Sequence, residues 1–214
     1  MLIYVEYITE RLLYTLSFVL QDRKVPYQLT NDGIAFIAAE GPKLNYSSRE
    51  FEGALQLIPA SILFSDELFS GAIEKANFEH TSCLAFDGQA DLLASIFYVL
   101  SRMEEYNSPH TDTLGRFQAV ASVCYKNDWL QDPICDSWSE AFIHFLEKAF
   151  QIDLKAQQPR YFFQPTFDID NTFAYAHKNK FRTFFAHCKD YLYGRKQRIL
   201  DRKTVRSGAQ PDPY

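Results

Sequence analysis

Apolar and polar positions along the chain change their period several times, and each change predicts an element. Leu2 to Tyr7 alternates as a first strand does, with successive side chains on opposite faces. Thr9 stands where a helix cap belongs. Behind it Leu12, Leu13, Leu16, Val19 and Leu20 make the apolar side of a helix reaching about Leu20. Val25 to Leu29 and Ile34 to Ala38 flank Asn31-Asp32-Gly33, a three-residue turn signal, so this stretch predicts a hairpin. Gly41-Pro42 breaks the chain before Lys43-Leu44-Asn45-Tyr46, and Leu55 to Ile58 is a further short apolar run ended by Pro59. Ser65 offers a cap for a short helix through Ile73.

Two longer helices stand out. Leu92, Leu93, Ile96, Phe97, Leu100 and Met103 recur at helical spacing, which predicts a helix from Asp87, its cap, to about Tyr106. Pro109 and Gly115 mark a loop. Trp138, Phe142, Phe145, Leu146 and Phe150 then fit a helix from about Asp136 to Phe150. Strands and helices mix without strict alternation, so the expectation is a compact mixed α/β domain over residues 1–155, its last helix ending near Ile152. Ala156-Gln157-Gln158-Pro159 reads as a linker to a second segment, 160–214. There Arg160 to Asp168 predicts a new strand, and Asp170-Asn171-Thr172 caps a following aromatic and basic helical stretch to about Val205. A lone strand with one or two helices cannot bury its own faces, so this segment reads as the opening of a further α/β unit.

Composition narrows the class. Of 214 residues 47% are hydrophobic and 16% aromatic, enough apolar mass for a real core, which excludes a disordered tail and a collagen-like fibre. The 19 Phe and 13 Tyr read first as an aromatic-rich core and second as planar-ligand contacts. The net charge of −5 hides an asymmetry. Acidic residues outnumber basic ones about two to one as far as Tyr175, whereas Lys178 to Arg206 is strongly basic. Basic residues interleaved with Phe181, Phe184, Phe185 and Tyr191 fit an amphipathic packing helix better than a nucleic-acid or anionic-membrane surface, so no nucleic-acid partner is expected. An apolar face on the second segment would favour self-association or a partner. Cys83, Cys124, Cys135 and Cys188 lie far apart among apolar residues and read as free thiols rather than a disulfide or zinc framework. No stretch reaches the roughly 18 apolar residues of a membrane span. Glu6 and Glu10 ahead of the Leu12–Leu20 run are unlike a signal sequence, and a cytoplasmic location is expected.

The sharpest candidate for chemistry is Thr166-Phe167-Asp168-Ile169-Asp170-Asn171. On a strand, Asp168 and Asp170 would share one face at its carboxyl end, where α/β folds gather catalytic groups. One carboxylate can then ligate a divalent cation while the other acts as general base. The structural alternative is that Asp170 caps the next helix and Asp168 is a solvated strand end. His80, His110, His144, His177 and His187 form no metal-binding pair at helical spacing, and two carboxylates alone make a poor zinc site. Arg102 and Arg116 beside Glu104, Glu105 and Asp112 read as a buried ion-pair network holding helix to loop, an Arg/Glu active site being the alternative. No phosphate-binding loop, dinucleotide fingerprint or nucleophile elbow occurs.

Several of these stretches, in this order, resemble bacterial polysaccharide deacetylase-like proteins, which carry a variable α/β domain ahead of a deacetylase barrel. The resemblance is carried by Gly41-Pro42-Lys43-Leu44-Asn45-Tyr46, the helix Ala94 to Tyr106, Asp112 with Gly115-Arg116-Phe117, and Pro165 to Asn171. Asp212-Pro213-Tyr214 resembles the segment following the first barrel helices. It implies metal-dependent hydrolysis of N- or O-acetyl groups on a glycan, with Asp168 as general base and Asp170 as ligand to zinc or a similar divalent ion. Ile169 separates two aspartates that are adjacent in such proteins, and the His pair that completes the metal site has no counterpart in this sequence. The expectation is therefore the start of an incomplete (β/α) barrel, truncated and without hydrolytic activity or a tightly held metal as this chain. The alternative is a noncatalytic glycan- or protein-binding α/β module.

Overall fold

The computed structural model describes residues 1–106, 108–157, 162–168 and 172–213. The chain divides into two compact units, Met1–Arg160 and Tyr161–Tyr214. The first is mixed α/β. It opens with β1 (Leu2–Tyr4) and α1 (Glu10–Leu16), whose first turn is closed by the Thr9 hydroxyl accepting from the Leu12 amide at 3.2 Å. The helix continues as a π-helical turn over Ser17–Gln21, which keeps Val19 and Leu20 buried.

After β2 (Gln28–Thr30) the expected hairpin does not form. Asp32 accepts from the Ile34 and Ala35 amides, so the Asn-Asp-Gly signal acts as a helix start and Gly33–Ala38 is α2. β3 (Lys43–Tyr46) and β4 (Leu55–Leu57) complete a parallel sheet in the order β2-β1-β3-β4. Alternation along β1 places helices against both faces. Ile3 and Val5 join the main core with Leu12 and Leu16, while Tyr4 meets Phe36 of α2 and Phe51.

Ser65 starts no helix. A 3-10 turn over Ser61–Phe64 ends there, and the chain runs on to an antiparallel sheet of β5 (Ile73–Phe78), β6 (Thr81–Phe86) and β7 (Gln89–Ala90). Asp87 is not a helix cap but the left-handed first residue of the Asp87-Gly88 turn between β6 and β7 (φ 50° and 84°). Four residues later Asp91 takes the capping role, and α3 spans Leu92–Leu100. The helix breaks at Arg102, where φ is 54°, before the single turn α4 (Met103–Tyr106). A second short helix, α5 (Val123–Lys126), precedes α6 (Ile134–Phe150). Trp138 of α6 is fully buried, packs edge-on against Trp129, and donates its indole N–H to the Ser82 carbonyl at 2.6 Å.

In the second unit, residues 162–168 form no strand, in contrast to the expected one. Phe162, Phe163 and Phe167 are exposed there, and among the described residues no other strand pairs with them. The next helix begins later than expected: Asn179 caps α7 (Lys180–Leu192), which folds back on α8 (Lys196–Arg206). Asp190 and Arg202 form a buried ion pair at 2.5 Å between them. The Asp212 carboxylate accepts from the amides of Ala174, Tyr175 and Ala176 and fixes the stretch before α7.

Candidate functional site

The strand order reverses at β1, with β2 reached on one side and β3 on the other. In open α/β sheets the crevice beyond the carboxyl ends of the strands at such a reversal is where ligands sit. A cavity of about 230 Å³ occupies that position here. Glu6 and Tyr7 come from the end of β1, Tyr46, Ser47 and Ser48 from the end of β3, and Ile58 and Pro59 from the end of β4. Ser61 and Phe64 of the 3-10 turn close the remaining side.

Short-range hydrogen bonds hold each wall. Asn45 donates to the Arg49 carbonyl and the Gln56 side chain, Ser47 donates to the Asn45 side-chain oxygen, and Gln56 donates back to the Ser47 carbonyl, all within 2.5–2.7 Å. The 3-10 turn is tied to α1 by the Thr9 hydroxyl on the Leu63 carbonyl and the Arg11 guanidinium on the Ile62 carbonyl. Behind the cavity the Tyr46 hydroxyl donates to Asp91 Oδ2 at 2.5 Å, and the same oxygen accepts from the Ala60 amide at 2.7 Å. Burial pushes the Asp91 carboxyl above its ordinary value, opposed by these hydrogen bonds, and burial beside Asp91 pushes the Tyr46 phenol well above its own. Burial, with Asp91 close by, pushes the Cys83 thiol up to about 11, which disfavours the thiolate at neutral pH.

The cavity's rim is open and aromatic. Tyr7 is 68% exposed, and Ser48 donates to Glu6 Oε1 at 3.1 Å. Rings, hydroxyls and one carboxylate around a small crevice suit a ligand with one apolar face and several hydrogen-bonding groups. Of this set Tyr46 alone stands in a motif that carries the deacetylase-like resemblance, while Glu6, Tyr7, Ile58 and Pro59 belong to stretches read only as a strand or an apolar run. A short polar run directly after an apolar strand, Ser47-Ser48-Arg49 after Tyr46, is the signal that marks such an edge.

Asp168 is exposed in a stretch without regular structure, and Asp170 lies outside the described residues. Among the described residues no three His, Cys, Asp or Glu side chains come together as a metal group. Arg102, Glu104, Glu105, Asp112 and Arg116 do not form a buried network. Arg102 pairs with Glu105 and Arg116 with Asp112, each within one turn of chain and each with its Arg side chain 73% exposed. The Arg102 guanidinium holds the Glu105 carboxyl below its usual range, and the Arg116 backbone amide, then its guanidinium, does the same for Asp112. Glu104 instead accepts from the Val123 amide at 2.8 Å, joining α4 to α5, and its half-buried carboxyl is raised by desolvation.

A four-stranded parallel sheet with helices on both faces, beside a three-stranded antiparallel sheet, defines the first unit as a mixed α/β domain. Residues 1–151 match the model of a family of unknown function, DUF7033, and the chain belongs to that family. No match is found among curated proteins or among solved structures. Among the described residues no helix is long and apolar enough to cross a membrane.

Proposed function

We propose that the first unit is a noncatalytic carbohydrate-recognition module in a protein of the polysaccharide deacetylase-like kind. The observation that carries this reading is the crevice at the sheet's carboxyl edge, walled by Tyr7, Tyr46 and Phe64 and furnished with Ser48, Ser61 and Glu6. A pyranose ring offers an apolar C–H face to stack on a phenol and equatorial hydroxyls to bond with Ser and Glu. Calorimetric titration of the chain with soluble oligosaccharides tests it. Binding that falls at least tenfold in Tyr7→Ala supports the reading, and no heat from any oligosaccharide overturns it. The four free thiols, Cys83 and Cys135 among the buried side chains, agree with a cytoplasmic location. Self-association belongs to the same reading, supported by exposed Phe181, Phe185 and Leu192 on α7, and a clean monomer in light scattering at high concentration counts against it.

A second, hydrolytic reading keeps its support in Pro165 to Asn171 and the deacetylase resemblance. A catalytic zinc ion takes about three protein ligands. Asp168 is an exposed carboxylate, and its expected partner Asp170 lies outside the described residues. Titration with zinc and cobalt, on this chain and on the double variant Asp168→Asn/Asp170→Asn, decides the matter. Tight binding lost in the variant favours hydrolysis, and binding unchanged by it removes these two residues from any metal site.

A further inference from the structure

The crevice carries a charge preference as well as a shape. Among the described residues that line it, Glu6 alone is charged. Arg49, next to Ser48 in the chain, and Arg11, bonded to the Ile62 carbonyl beside Ser61, are engaged with other groups. Arg49 donates to the Tyr4 hydroxyl at 2.9 Å and lies over the Tyr4 and Phe51 rings, and Arg11 donates to the Ile62 and Glu67 carbonyls. Neither forms an ion pair with Glu6, whose Oε1 accepts from the neutral Ser48 hydroxyl at 3.1 Å, its one side-chain partner among the described residues. A carboxylate has two oxygens and about four lone-pair directions, so Glu6 has acceptor capacity beyond the Ser48 hydroxyl that a ligand's donors can use. An anionic ligand would meet an uncompensated like charge, whereas a cationic one completes the site.

We infer that the crevice selects an amino sugar with a free ammonium group, its ring stacked on Tyr7 and its ammonium paired with Glu6. This rests on the carbohydrate reading above and narrows it. A volume of about 230 Å³ holds one sugar ring, so a single residue of a glycan is read rather than a long stretch of it. A charge-assisted hydrogen bond is roughly twice as strong as a neutral one, and an acetylated nitrogen offers only the neutral kind. Glu6 is half-buried at the rim, so the preference weakens as salt rises.

The test compares three tetrasaccharides on the intact chain by calorimetry: a glucosamine tetramer with free amines, its fully N-acetylated counterpart, and a glucose tetramer. The expected result is about tenfold tighter binding of the free-amine tetramer at low salt. That ratio should shrink towards one at high salt and in Glu6→Gln, whose folding is checked by its melting temperature. Equal affinity for all three tetramers in the unmodified protein overturns this inference and leaves the carbohydrate reading standing. Tighter binding of the acetylated tetramer overturns it as well. No binding of any of the three overturns both.

Discussion

A single buried carboxylate, Asp91, accepts from a side chain and backbone amides on separate stretches of chain: the Tyr46 hydroxyl, the Ala60 amide and the Ala94 amide. Tyr46 and the neighbours of Ala60 line the crevice, so Asp91 sets its walls without touching what binds there. Asp91→Ala leaves three buried donors without an acceptor and should cost about 3 kcal/mol of stability in urea unfolding. Asp91→Asn keeps the shape and one acceptor, and should cost about 1–2 kcal/mol. The pH dependence has a definite sign. Burial raises the folded carboxyl above its ordinary 3.8, so the folded protein holds that proton more tightly than the unfolded chain. The contribution is full below 3.8 and is lost as pH rises through the folded value. Unfolding free energies of the protein and of Asp91→Asn should therefore diverge between acid and neutral pH, and parallel curves would show that Asp91 does not titrate differently on folding.

The helices with strong amphipathic contrast are the elements most legible in the sequence. α6 and α3 follow from their apolar period alone, because a wide apolar stripe on a helix has one place to go. Trp138 is the clearest case, with its ring in the core, its edge on Trp129 and its indole N–H on Ser82. Trp138→Ala should cost about 3–5 kcal/mol, read from denaturant midpoints, and Trp138→Phe less, since it keeps most of the volume and loses the hydrogen bond. The short β1 and the Thr9-capped α1 are legible too, but other short elements are not, for a definite reason: one local signal serves two structures. Asn31-Asp32-Gly33 suits a hairpin turn and a helix cap equally, and the Asp32 carboxylate accepting two amides decides for α2. Asp87 and Asp91 both precede the same apolar run. Gly88 makes the first a turn, leaving the cap to the second. The crevice is harder still to read, because Glu6, Ser48 and Phe64 meet only through the parallel pairing of β1, β3 and β4. The stretch before Asp168 shows a different limit: the sequence predicts a strand there, but residues 162–168 carry none, and Asp170 lies outside the described residues.

At the scale of the molecule the two units answer acid in opposite ways. In the second unit Asp190 is buried against Arg202, with Arg195 at 3.7 Å, and these cations hold its carboxyl below the ordinary 3.8. A depressed carboxyl contributes stability above its unfolded value and loses it as pH falls through the folded one. Protonation also strips the buried Arg202 of its counter-charge, the costly way to break such a pair. In the first unit the dominant buried carboxyl is Asp91, which is raised and gains from acid. Its depressed carboxyls, Glu105 and Asp112, are bound to exposed arginines, and exposed pairs of that kind add little. Hydrogen exchange followed as pH falls should therefore show α7 and α8 losing protection first, while α3, α6 and the parallel sheet keep theirs. Asp190→Asn should bring that loss of protection to neutral pH and leave the first unit's amides unchanged. If both units lose protection together at one pH, their stabilities are coupled and Asp190 is not the group that sets the acid limit of the second.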